Sequence, residues 1–207
     1  SALLLLGGEV VFSWEGRKEA AARRSLFSER AWCLHIGRGT KAEITAKSDA
    51  ELLIQRADNE RCFPARLYRP EDNRLEHARY DVWDTTAKRD IVTLFDYQNA
   101  PYSNLVLGEI FHYPGRWSSY PPHSHPQPEV YYYRFDKPQG FGACFIGDEA
   151  YKIRQGSYAA IPGGLCHPQV VAPGYRMYYV WMIRHLPGNP WTDRIDDPDH
   201  SWIYNVK

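Results

Sequence analysis

Two histidines one residue apart, His123 and His125, are followed across a Pro126-Gln127-Pro128 spacer by Glu129, and a further histidine, His167, lies downstream. On a strand, side chains two apart share a face, so His123 and His125 can converge on one atom. Pro126 and Pro128 cannot join a central ladder, so the chain turns between the histidine pair and the glutamate. That turn brings Glu129 in from an adjacent strand, and His167 arrives from a later one. Three imidazoles and one carboxylate form a mixed nitrogen and oxygen set. It suits one divalent ion per chain, zinc first, with Mn, Fe, Ni or Cu as alternatives. Strand parity extends the pocket: if Glu129 faces it, Tyr131 and Tyr133 face it too, while Tyr132 and Arg134 face away. Arg116 precedes the ligand run and can reach the rim. His112 reads as a hydrogen-bonded wall residue. His35, His77, His185 and His200 lack ligand spacing and read as structural, and Cys166 reads as a packing cysteine.

These side chains need strands to hold them, and the composition agrees. The chain has 207 residues, with 15 Tyr, 7 Trp, 15 Gly and 15 Pro, a mixture that favours strands and turns over helices. Lys plus Arg is 25 and Asp plus Glu is 25, so the charge balances and a dedicated nucleic-acid binder is not expected. The longest aliphatic run is Leu3–Leu6, whereas a helical membrane span needs about 20 apolar residues, so no membrane association is expected. Four scattered cysteines with no CxxC pair point to a reducing cytoplasm. The opening Ser1–Gly8 does not read as a signal peptide, and its strand-like pattern suggests a chain that starts part-way into a domain.

Alternation predicts strands at Glu9–Trp14, Ala31–Ile36, Lys41–Lys47 and Glu51–Gln55, with Gly7-Gly8 as punctuation and Arg17–Arg30 as the one stretch with a helical alternative. Residues 63–95 are charge-rich and read as an inter-domain linker with one strand at Ala78–Trp83. Further strands are expected at Asn104–Tyr113, Glu129–Phe135, Asp148–Arg154, Ser157–Ile161, Pro168–Ala172 and Tyr175–Arg184. Strands at this spacing predict a sandwich or barrel. The expected division is 1–62, 63–95 and 96–207, the last a metal-binding barrel with a tail from Pro187 that wraps over it or over a neighbouring subunit. Strand edges and the aromatic tail suggest a homo-oligomer.

Gly115 with His123-x-His125-x3-Glu129, and Gly156-x5-Pro162-x-Gly164-x2-His167, resemble the two sequence motifs of the cupin barrel. The run Gly115–His125, Glu129–Phe135, Pro138–Phe141, Asp148-Glu-Ala-Tyr151, His167-Pro168 and Ala172–Tyr175, with Phe63–Arg66 and Arg69–Asp72 upstream, is similar to the 5-deoxy-glucuronate isomerase family of inositol catabolism. That family in turn resembles the two-cupin 5-keto-4-deoxyuronate isomerase of pectin breakdown, with its His-His-Glu-His metal site. The resemblance implies an all-β fold of two cupin barrels, double-stranded β-helices of jelly-roll type, the first incomplete and metal-free. It implies metal ligands at His123, His125, Glu129 and His167. The implied reaction is aldose–ketose isomerisation of a uronic acid, 5-deoxy-D-glucuronate to 5-dehydro-2-deoxy-D-gluconate. Such chemistry needs a Lewis acid for the enediolate, a proton carrier, for which Tyr131 or Tyr133 is expected, and a cation for the substrate carboxylate, for which Arg116 is expected. This chain departs from the pattern in its short segment between His125 and Glu129, its trimmed hairpin after Gly140, and Arg176 in place of an acidic residue. An Fe(II) or Ni(II) dioxygenase could use the same four ligands. A non-catalytic sugar-binding cupin is the other alternative.

Overall fold

The computed structural model describes residues 1–206, and the elements run strand after strand. β1 (Ala2–Trp14) is continuous through Gly7 and Gly8, where the punctuation suggested a turn. It organises the first half. Its beginning pairs with β3 (Trp32–His35) and β5 (Glu51–Gln55), and its end with β2 (Arg17–Arg23) and β4 (Ala42–Ala46). The change of partners falls at the two glycines, where the β1–β5 register shifts between Leu5 and Gly7. Gly8 has φ +93°, and a Cβ there would lie 2.3 Å from the Asp49 carbonyl oxygen, so only glycine fits the bend. The helical alternative for Arg17–Arg30 gives way to β2, because hairpin pairing with β1 uses its alternating apolar face. β6 (Arg66–Tyr68) closes this sheet beside β3.

Residues 63–95, expected as a linker, contribute β6 to the first sheet and β7 (Arg74–Ala78) and β8 (Arg89–Phe95) to the second. The strand expected at Ala78–Trp83 lies earlier, at β7. Trp83, Asp84 and Thr85 have positive φ and form a turn instead. β9 (Leu105–His112), β10 (Trp117–Ser118), β11 (His123–Ser124), β12 (Glu129–Phe135), β13 (Phe141–Ile146), β14 (Glu149–Arg154), β15 (Tyr158–Ile161), β16 (Gln169–Val171) and β17 (Met177–Arg184) follow. One sheet has the order β15-β12-β17-β9-β8-β7 and the other β10-β16-β13-β14. The tail adds β18 (Ile195–Asp196), paired with β11, and a 3-10 helix over Pro198–Asn205. No helix among the described residues is long and apolar enough to cross a membrane.

β17 shows why the sequence reads as a near-continuous apolar run. Tyr179, Trp181 and Ile183 pack inside the second half with Tyr131, Tyr133 and Phe135. Tyr178, Val180 and Met182 point to the other face and pack with Leu4, Leu6 and Cys33 of the first half. Both faces of the strand are buried, so alternation is lost. Each large side chain fully buried this way contributes roughly 1.5–3 kcal/mol. Between the halves, Arg23 of β2 forms a bidentate pair with Glu109 of β9 (2.6 and 3.1 Å), and the Tyr178 hydroxyl donates to the same carboxylate at 2.6 Å. All three side chains are completely buried.

Candidate metal centre

β12 begins at Glu129, whose Cα neighbours are Ile161 on β15 and Ile183 on β17, so its carboxylate rises from the middle of a sheet. His123 sits on β11, His125 immediately after it, and His167 just before β16. The Gly-rich turn before His167 packs directly on the segment after His125. Gly164 (φ +86°) donates its N–H to the His125 carbonyl at 2.8 Å, and a Cβ on Gly163 would lie 1.9 Å from the Pro126 carbonyl oxygen. The two sequence motifs are thus two halves of one contact, and glycine is what lets them approach.

The ligand atoms of His125, Glu129 and His167 all lie within 4.8 Å of one another. Glu129 Oε2 is 3.3 Å from His125 Nε2 and 3.2 Å from His167 Nε2. His123 stands beside them, its ring centroid 5.1 Å from that of His167. All four side chains are buried. Each imidazole has its Nδ1 within hydrogen-bond reach of a carbonyl two residues away: His123 to Pro121 (3.0 Å), His125 to Gln127 (2.9 Å) and His167 to Leu165 (2.9 Å). A carbonyl can only accept, so Nδ1 carries the proton and a neutral ring presents its Nε2 lone pair inward. His167 Nε2 has no hydrogen-bond partner. Lone pairs converging on a carboxylate repel unless a proton or a cation lies between them. The donor set therefore fits a divalent ion, and the carbonyls are the outer contacts that orient such ligands.

Titration follows the same geometry. Burial, and then the charge of His167, hold His123 neutral, its pKa pushed down to about 3. For Glu129 burial works upward, but the close approach of His125 and His167 outweighs it and brings the carboxyl down to about 2. Burial lowers His167, yet the Glu129 carboxylate 3.2 Å from its Nε2 raises it overall. Without metal, a proton on His167 compensates the carboxylate; a metal ion replaces it.

His123, His125 and Glu129 open into a cavity of about 230 Å³, lined by Ser119, Tyr131, Trp181 and Ile183, by Arg89, Ile91 and Thr93 of β8, and by Trp191, Asp193 and Arg194 of the tail. Tyr131 faces it as parity predicts, its ring centroid 5.9 Å from that of His167 and its hydroxyl 3.3 Å from Ser119 Oγ. Burial and then the Glu129 charge push its pKa well above the usual phenol value, so it holds its proton. Tyr133 shares that parity but stops short of the cavity: its hydroxyl donates to Gln169 Oε1 at 2.7 Å in the barrel interior. Arg116 is not brought to the site either; its guanidinium bonds Thr85 Oγ1 at 3.3 Å on a neighbouring turn. The arginines that line the cavity, Arg89 and Arg194, sequence reasoning missed. Reading Arg89-Asp-Ile-Val-Thr93 as a strand would have put Arg89, Ile91 and Thr93 on one face, but the charge-rich surroundings concealed it. For the tail residues the sequence carries no such signal.

An all-β architecture of curled sheets with histidines and a glutamate at one end of a barrel defines a protein of the cupin class. The KduI/IolB family model matches residues 1–203, and the chain belongs to that family, one of isomerase enzymes. The 5-deoxy-glucuronate isomerase of Bacillus subtilis strain 168 is 29% identical over 197 residues, 87% of this chain and 70% of that protein. The protein of the same name from Lacticaseibacillus casei is 27% identical over 221 residues, 97% of this chain and 78% of its own length. Among solved structures, an IolB-like protein from Salmonella typhimurium LT2 superposes with a TM-score of 0.84 at 22% identity, over 98% of this chain and 81% of that one. Its likeness speaks to the fold.

Proposed function

We propose that this protein is a divalent-metal-dependent isomerase that interconverts 5-deoxy-D-glucuronate and 5-dehydro-2-deoxy-D-gluconate. The observation that carries the metal dependence is the set of three imidazoles, each with Nδ1 at a carbonyl and Nε2 turned inward beside Glu129. The relatives' shared name supports the substrate. His123, His125, Glu129 and His167 hold the ion, zinc being the first candidate for this donor set.

Isomerisation moves a hydrogen between C2 and C1 and passes negative charge through oxygens on both carbons. A bound divalent ion supplies Lewis-acid stabilisation of that charge. Tyr131, kept protonated by burial, donates a hydrogen bond or a proton at the reacting end of the substrate. Ser119 orients that hydroxyl, and the apolar walls formed by Trp181, Ile183 and Trp191 limit water around the reacting carbons.

The test is incubation of zinc-loaded protein with 5-deoxy-glucuronate in heavy water without oxygen, followed by proton NMR. Loss of the aldehyde signal and growth of the signals of 5-dehydro-2-deoxy-D-gluconate is the expected result. No product without oxygen, together with oxygen consumption when air is admitted, would replace this reading with a dioxygenase.

A further inference from the structure

Arg89 is 3% exposed, yet none of the ion pairs among the described residues includes it. Its Nη1 donates to the Ala87 carbonyl at 2.8 Å, and its Nε has no partner. It projects from β8 on the face it shares with Ile91 and Thr93, into the cavity that also holds His123, His125 and Glu129. Glu76 lines the same cavity and attracts Arg89 electrostatically, but it is solvent-exposed and forms no ion pair with it. Arg194, the other arginine of the wall, is already held by Asp196 at 2.9 Å and by the Tyr204 hydroxyl at 3.4 Å. Burial lowers the Arg89 pKa to about 10, which leaves the group charged at neutral pH.

A buried, unpaired guanidinium is costly, and such groups persist where an anion completes them. The planar fork is the shape that takes a carboxylate through two parallel hydrogen bonds. The metal-binding end of the cavity takes hydroxyl and carbonyl oxygens, so the anion belongs at the other end of the same small molecule.

We propose that Arg89 is the carboxylate anchor of this site and restricts it to sugar acids rather than neutral sugars. The inference deepens the isomerase reading and rests on it for the identity of the reacting end. It replaces Arg116, whose guanidinium lies outside the cavity, in the role of carboxylate partner.

The experiment compares calorimetric binding of D-glucuronate and D-glucuronamide to zinc-loaded protein, so that turnover is not needed. A charge-assisted bidentate contact predicts a preference for the acid of about 10- to 100-fold. In Arg89→Gln the two ligands should bind almost equally, with the zinc content and the circular dichroism of the parent. Arg89→Lys, which keeps the charge without the fork, should fall between, and it serves if the glutamine variant does not fold. No acid preference in the parent protein, or an undiminished one in both Arg89 variants, overturns the proposal. So does loss of the preference in Arg116→Gln instead. A parent protein that prefers glucuronate through Arg89 but does not isomerise 5-deoxy-glucuronate would sink the isomerase reading and leave the anchor standing.

Discussion

At the scale of single residues, the centre is defined by which nitrogen of each imidazole is committed. Nδ1 of all three histidines is spent on a nearby carbonyl, which leaves Nε2 for an ion. His125→Ala removes one of the three groups that converge most closely, so purified variant should carry less than one tenth of a zinc equivalent by mass spectrometry of the metal, on the order of the loss that even outer contacts produce. Retention of a full equivalent would contradict the assignment. The tyrosines separate in the same way. Tyr131→Phe should lower kcat by roughly 10²–10⁴ with zinc retained, because a positioned proton donor is lost. Tyr133→Phe removes a hydroxyl that meets Gln169 and Cys144 in the barrel interior and not the cavity, so it should cost about 1 kcal/mol of stability and little turnover. Steady-state kinetics alongside urea titration reads both. Parity alone gave the two tyrosines equal standing. Depth in the barrel distinguishes them, and depth is set by partner strands that a single strand's pattern does not reveal.

At the scale of elements, the site depends on contacts between segments distant in sequence. Gly163 passes so close to the Pro126 carbonyl that Gly163→Ala must push the two apart, and the Gly164 bond to His125 goes with it. The expected outcome is weakened zinc binding, by 10-fold or more in a competition titration with a chromophoric chelator, as for other supports of metal ligands. Affinity equal to that of the parent would show that the turn does not position His125. Much of this level was legible beforehand. β5 and β12 have the bounds expected of them, and β3, β4, β9 and β14–β17 fall within a residue or two of their runs. Turn residues and alternation mark strands that have one wet face. β8 escaped because it is bordered by charge and a turn, and β13 because Gly142, which gives close backbone approach to Val170, reads as a break. The tail strand β18 is two residues long, too short to carry a pattern, yet it brings Trp191, Asp193 and Arg194 to the cavity.

At the scale of the molecule, the first half is bound to the second by a shared core and by charge. The Arg23–Glu109–Tyr178 cluster joins β2 to β9 and β17. Arg23→Met should destabilise by roughly 3–5 kcal/mol, since it strands a buried carboxylate, whereas Arg23→Met with Glu109→Leu should cost much less. Chemical denaturation of the two variants checks this, and equal losses would contradict it. None of this pairing was visible in the sequence, because a lone arginine in a polar hairpin gives no sign of a partner on a distant strand. Two buried histidines away from the ligands give the fold a pH dependence. Burial holds both His35 and His112 neutral, with pKa values near 3. Their unfolded value is about 6.5, so between pH 6.5 and pH 3 the unfolded chain binds more protons and stability falls as the pH falls. At pH 5 each histidine withdraws roughly 2 kcal/mol. The melting temperature should therefore drop from pH 7 to pH 5, and replacing His35 by Asn should flatten the slope even where it lowers the plateau.

The claim on which the rest depends is that one divalent ion, held by His123, His125, Glu129 and His167, makes this chain an isomerase. The direct measurement is a metal titration: chelator-stripped protein receives zinc in sub-stoichiometric steps under nitrogen, and the rate of 5-deoxy-glucuronate isomerisation is recorded at each step. The rate should rise linearly and break at one zinc per chain. Full turnover by the stripped protein, or none at one equivalent, would contradict the claim.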